Sequence, residues 1–387
     1  MTRLSGAKLF WLILLFATTL PGCEEAHLVS EAAADPTPNV QVMAIERETA
    51  VPTAIPTVTS TPEPLCVASL VTPSQRADHE MVYDQHREKI ILFGGRELDF
   101  WIPRRPSAAS SRHVSETWEY DQCGWKQIDT LHRPPNLDDF DIAYDSVRKV
   151  TILFGQYTPL DNPEKGSISM MWEYDGQDWR QMAEIKDLPY PRIFSEMVFN
   201  PASNQIVLFG GFSLFGPEWI DWHWETWVLE NEKWYDITNE ITYESIPPRE
   251  FPIMAFDEHR NVTVLLISTV NNFTIEFDGT AWDNMQDLPN SGNRPALEFN
   301  RDMNMFGGDM VFDTNRGVVV AHGLSGTWEY DGTTWQEIEK AGGPKSQWHA
   351  MAYDEAIGVT VLFGGVDENK NPIEGTWLYD GQAWVQD

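Results

Sequence analysis

Thr327-Trp328-Glu329-Tyr330-Asp331-Gly332-Thr333-Thr334-Trp335 is the stretch whose reading decides the fold. Two Trp stand seven residues apart across an Asp-Gly pair. The same step recurs at Trp118 and Trp125, Trp172 and Trp179, Trp227 and Trp234, and Trp377 and Trp384, with Ile275 and Trp282 as a degenerate copy. Successive copies lie 48 to 55 residues apart. A period of this size marks a repeat architecture, in which each unit buries its faces only against its neighbours. Within the unit, Thr-Trp-Glu-Tyr-Asp alternates apolar and polar side chains as a half-buried strand does. Asp-Gly then supports a tight hairpin into a short strand carrying the second Trp.

Working upstream, each copy begins with a short apolar strand that ends on an acid or amide, as in Met81-Val82-Tyr83-Asp84, Met197-Val198-Phe199-Asn200 and Met351-Ala352-Tyr353-Asp354. A brief turn, often carrying Arg, leads to a continuous apolar run such as Ile90-Ile91-Leu92-Phe93-Gly94-Gly95, the pattern of a strand covered on both faces. Four antiparallel strands per unit, six times over, predict an all-β, six-bladed β-propeller. Its ring closes either by packing of the last unit on the first or by an edge strand from Leu65 to Leu70.

The double glycine after an apolar strand, the Tyr-Asp and the Trp seven residues past its predecessor resemble kelch repeats, as found in bacterial proteins related to the central domain of galactose oxidase. The resemblance runs from about Arg76 to Asp387 and is strongest in copies one, three and six. Copy two has Gln156 for the second Gly, copy five has His322-Gly323, and copy four, Leu265-Leu266-Ile267, lacks the pair. The copper of galactose oxidase needs Tyr and His ligands and a Cys cross-linked to a Tyr. In the repeat region the one Cys is Cys123, in a hairpin turn, so neither cofactor nor metal is expected.

The N-terminus reads as an address. Arg3 and Lys8 precede an apolar run from Leu9 to Leu20, shorter than the roughly 20 residues a membrane-crossing helix needs. Leu20-Pro21-Gly22-Cys23 resembles the lipobox of bacterial lipoproteins, which implies a signal peptide over 1–22, lipidation of Cys23 and an exported protein on the outer side of the cell membrane. Residues 24–64 turn to Pro and Thr and read as a disordered linker, leaving 65–387 for the propeller. In an exported protein disulfides persist, and Cys66 is expected to pair with Cys123.

The net charge of −32 opposes nucleic acid and anionic membranes, which select clustered Lys and Arg. The membrane is therefore expected to be met through the lipid alone, and the chain to be a monomer. With strands in order from the axis outward, the long, variable connections gather on one face. They carry Trp101, Arg104 and Arg105 in copy one, and Trp219, Trp222, His223 and Trp224 in copy three. Aromatics beside charged groups suit a carbohydrate or protein ligand. The first strands begin on the same side, and there stand Arg76, His79, Glu80, Asp141, Glu196, Asp309, Trp348 and His349. The leading expectation is a binding module. The alternatives are an envelope scaffold and, because some six-bladed kelch propellers are sugar mutarotases, an enzyme using His349, Glu80 and Arg76.

Overall fold

The computed structural model describes residues 71–98, 111–159, 166–182, 188–214, 220–238, 251–267, 273–282 and 303–387. The chain divides into two units, 1–63 and 64–387, and every described residue belongs to the second. Cys23, Cys66, Trp101, Arg104, Arg105 and Trp219 lie outside the described residues. Cys123 is disulfide-bonded.

Strands, turns and irregular segments make up the described residues, with no helix among them. The first sheet pairs Glu80–Asp84, Lys89–Phe93, Thr117–Asp121 and Gly124–Ile128 in chain order, all antiparallel. Met81 faces Leu92, Leu92 faces Trp118, and Trp118 faces Gln127, so one row of side chains crosses the sheet. The same four-strand order returns in sheets whose first strands are Asp139–Asp145, Glu196–Asn200, Asp309–Asp313 and Ala350–Asp354. A further sheet, starting at Pro252–Asp257, has three strands among the described residues, which there end at Trp282, and a bridge between Phe277 and Trp282 stands at the place of its expected fourth. Each first strand lies against those of the sheets before and after it, and Glu80–Asp84 lies against Ala350–Asp354. The outermost strand of the last sheet is Trp384–Gln386.

The double glycine explains where second strands stop. Gly94 and Gly95 have φ of 67° and 94°, a region closed to most side chains. A Cβ on Gly95 would stand 2.7 Å from the His79 Cβ and 2.9 Å from the Ala77 carbonyl oxygen. Where the pair is missing the strand runs on, to Tyr157 in the second sheet and to Gly323 in the fifth.

The repeated Trp and Thr lock sheet to sheet. The Nε1–H of Trp179 donates to Thr117 Oγ1 at 2.8 Å, Trp282 to Thr226 at 2.7 Å, and Trp335 to Thr274 at 2.8 Å. Trp384 donates to Thr327, and Trp125 to Thr376, each at 2.8 Å. Copy two carries Met171 where the others have Thr, and there Trp234 donates to its Sδ at 3.0 Å. Each second Trp thus caps the third strand of the sheet before it, and Trp125 does so on the last sheet in the chain. The acid ending each first strand folds the next turn: Asp84 Oδ1 accepts the backbone N–H groups of His86 and Arg87, both at 3.0 Å.

Candidate functional site

Aligning the six copies on the first strand isolates two columns at its start. One position before the Met or Ile stand Glu80, Asp141, Glu196, Ile253, Asp309 and Ala350. The four acids line a cavity of about 220 Å³ between the first strands. Three of them also tie neighbouring strands together, Glu196 through the N–H of Met254. Asp309 Oδ1 accepts the N–H of Met310 and Oδ2 that of Met351, each at 2.6 Å, and Asp141 accepts the N–H groups of Ile142 and Met197. Glu80 has no hydrogen-bond or ion-pair partner among the described residues, and feels the like charges of Asp141, Asp309, Glu196 and Asp139.

These carboxylates line the cavity between the strands, so burial weighs on their charged forms. Burial, then the charges of its neighbours, holds Glu80 well above the usual carboxylate range. Glu196 and Asp141 are raised for the same first reason. Burial pushes Asp309 up to about 7, against the pull of two backbone N–H groups. Asp139 is likewise pushed up to about 7, while an N–H from Phe194, 3.0 Å away, opposes the shift. No Lys, Arg or His lines the cavity among the described residues.

The second column, two residues earlier, reads Asp78, Asp139, Phe194, Phe251, Gly307 and Trp348. It lies at or just before the start of the first strands. Asp78, Phe194 and Trp348 have φ of 53°, 56° and 58°. For Phe and Trp that conformation is costly, and such strain gathers at functional positions. Phe194 meets Phe251 edge-on with ring centroids 4.7 Å apart, Phe251 meets Phe306 at 4.7 Å, and Phe306 meets Trp348 at 6.2 Å. In the other direction Phe194 stacks on Phe212 at 5.6 Å, Phe212 touches Trp222 at 4.7 Å, and Trp222 stacks on Trp224 at 6.5 Å. An unbroken aromatic tract therefore borders sheets three to six, while Asp78 and Asp139 border sheets one and two. Arg96 Nε lies 2.5 Å from Asp78, and Lys370 Nζ sits 4.1 Å above the Trp348 ring.

The residues singled out in the sequence fall into distinct places. Trp222, Trp224 and Trp348, read there as separate groups, join the one tract. Glu80 lines the cavity. His223 is buried beside the tract, its Nε2 2.6 Å from Ser213 Oγ. Arg76 is fully buried away from the cavity, where its Nη1 donates to the Gly94 carbonyl at 3.0 Å and its Nη2 to Glu116 at 2.8 Å. Arg192 repeats this on Gly210 at 2.9 Å. His349 is buried with Nδ1 3.0 Å from Ser346 Oγ, and burial lowers its pKa well below the usual imidazole value. His79 is held down to about 3 by burial. Phe194, Phe251 and Phe306 were missed by sequence reasoning. Their signal was present: they occupy or adjoin a strand-start column whose residue type changes from copy to copy.

The chain matches no family model and no curated protein. Its structure superposes on that of YjhT with a TM-score of 0.52, at 9% identity, over 82% of this chain and 98% of that one. The fold is a β-propeller. A Hadza microbial sialidase, Hz136, aligns with a TM-score of 0.49 at 8% identity, covering 81% of this chain and 66% of that one. At such identities the shared property is the fold alone.

Proposed function

We propose that the chain is an exported, six-bladed kelch-type β-propeller, lipid-anchored at Cys23, that binds a carbohydrate at the strand-start end of its axis. The lateral contacts of the six first strands and the Trp125 bond to Thr376 support six blades closed by packing of the last on the first. The observation that carries the ligand class is the aromatic tract running from Trp224 to Trp348 and facing carboxylates across the mouth. Aromatic faces cover the apolar faces of sugar rings, and carboxylates accept from their hydroxyls. Trp348, Trp222 and the half-exposed Phe306 are the contact residues, with Asp78 and Asp139 as acceptors.

The test is affinity measurement of the full chain on a glycan array, followed by titration of the hits against Trp348→Ala and Phe306→Ala. A loss of at least tenfold in each is expected, as for aromatic anchors of a site. Hits whose affinity is unchanged in both variants place the site elsewhere.

A second reading is sugar-modifying catalysis, favoured by one observation: Asp139 and Asp309 titrate near 7 and so suit both proton donation and acceptance. Interconversion of the α and β anomers of the sugar, followed by NMR exchange between their H1 signals and slowed in Asp139→Asn, would support it. Sugar that binds without any acceleration of exchange speaks for the binding module.

A further inference from the structure

Resting on the carbohydrate reading, we propose that the ligand carries free amino groups: a cationic amino-sugar chain whose ammonium groups enter the axial cavity. Three observations lead there. The cavity, about 220 Å³, is far larger than one water needs and is lined by six carboxylates, four at its mouth end and Glu258 and Glu355 at the other. No basic side chain among the described residues offsets them within the cavity. Burial holds these carboxyls toward their neutral forms; an ammonium group in the cavity favours their ionisation, whereas a neutral sugar gives no such partner and an anionic one opposes it.

The second observation is Glu80. Its neighbours in the ring find backbone N–H donors on the next strand, whereas Glu80 finds none and faces the cavity with four other carboxylates around it. An ammonium group brought by a ligand would give this half-buried carboxyl the partner it lacks, as a charge-assisted hydrogen bond to its ionised form.

The third is the disposition of the mouth. The aromatic tract borders sheets three to six and the acids Asp78 and Asp139 border sheets one and two, so the opening is apolar on one side and anionic on the other. A hexosamine ring has the matching halves, a C–H face and a protonated amine. The tract already holds one ammonium: Lys370 Nζ lies 4.1 Å above Trp348, a cation–π contact of the kind used to recognise such groups. A ligand amine reaching the mouth takes a place the protein's own lysine shows to be favourable, and can displace Lys370 from it.

The experiment compares a β-1,4-linked glucosamine tetramer with its fully N-acetylated counterpart, titrated into the full chain by calorimetry at neutral pH and moderate salt. A lysine tetramer serves as a non-sugar cation. The proposal expects the glucosamine tetramer to bind at least tenfold tighter than the acetylated one. That preference should vanish in Glu80→Gln and weaken in Asp139→Asn, with both variants still unfolding cooperatively. Equal binding of the two tetramers overturns the amino-sugar proposal and leaves the carbohydrate reading standing. Binding of the lysine tetramer alone overturns both. Binding of the glucosamine tetramer that persists undiminished in both variants reflects attraction to the acidic surface at large, and overturns the cavity site.

Discussion

Trp179 and Trp348 show how one residue type serves two ends of the same repeat. Trp179 lies in the outermost strand of the second sheet and is 1% exposed. Its ring stacks on Tyr174 at 5.2 Å and its indole N–H is taken by Thr117 of the preceding sheet. Trp348 lies where a first strand begins, with positive φ, one face under Lys370 and its edge toward Phe306. The first recurs in every copy, bonded to Thr in five and to Met171 in the other; the second shares its column with Asp, Phe and Gly. Where a side chain must fit the neighbouring sheet, every copy faces the same geometric demand and the column is uniform. At the mouth the six positions surround one space together, and they are free to differ.

That contrast can be broken or sharpened by substitution. The largest effect should come from the uniform columns. Trp125→Ala removes a buried ring and its bond to Thr376, and should cost about 3–5 kcal/mol in urea unfolding, with glycan affinity unchanged in the folded fraction. A cost below about 1 kcal/mol would mean that the first and last sheets do not depend on each other. Next comes Arg76→Leu, which leaves the Gly94 carbonyl and Glu116 without their buried donor. A loss of about 2–3 kcal/mol is expected.

The acids of the mouth should reveal themselves through pH. Asp139 and Asp309 keep their protons up to about 7 when folded, whereas the unfolded chain releases them near 3.8. The folded state therefore holds more protons between those values, and its stability falls as pH rises from about 4 to 7. The urea midpoint should be higher at pH 5 than at pH 8, and the gap should narrow in Asp139→Asn/Asp309→Asn. A midpoint that climbs with pH over that range would contradict the shielding of these groups.

Smaller effects separate the copies from one another. Trp179→Phe should cost about 1 kcal/mol for the lost bond to Thr117, and Trp234→Phe less, because the thioether of Met171 is a weak acceptor. Smallest of all in stability is Phe306→Ala. This side chain is 38% exposed, and the change should stay near 0.5 kcal/mol while abolishing the proposed glycan contact. Equal loss of stability in Phe306→Ala and Trp125→Ala would erase the distinction between scaffold and mouth.

Much of the architecture was legible because it rests on local rules applied six times. The seven-residue Trp step, the Asp-Gly hairpin and the double glycine each follow from turn and strand stereochemistry, and each was placed from the chain alone. Copy four shows how far that logic reaches: Ile275 replaces the first Trp and the double glycine is missing, yet Trp282 still bridges to Phe277 and donates to Thr226. Glu80 and Trp348 were found from their positions relative to the first strand. Arg76 and His349 share that position in the chain, but their side chains turn into the protein, a choice set by the Gly94 carbonyl and by Ser346.

What the sequence by itself determined is the repeat, its strand order and therefore which end of the axis collects the variable residues, because hydrophobic period and turn chemistry act over a few residues. Only the tertiary structure decided that Phe194, Phe251, Phe306 and Trp348, spread over more than 150 residues of chain, form one tract, and that Glu80 is the acid left without a partner. Those facts depend on how the sheets turn their first strands toward a common axis, and through-space proximity of that kind leaves no mark in local spacing.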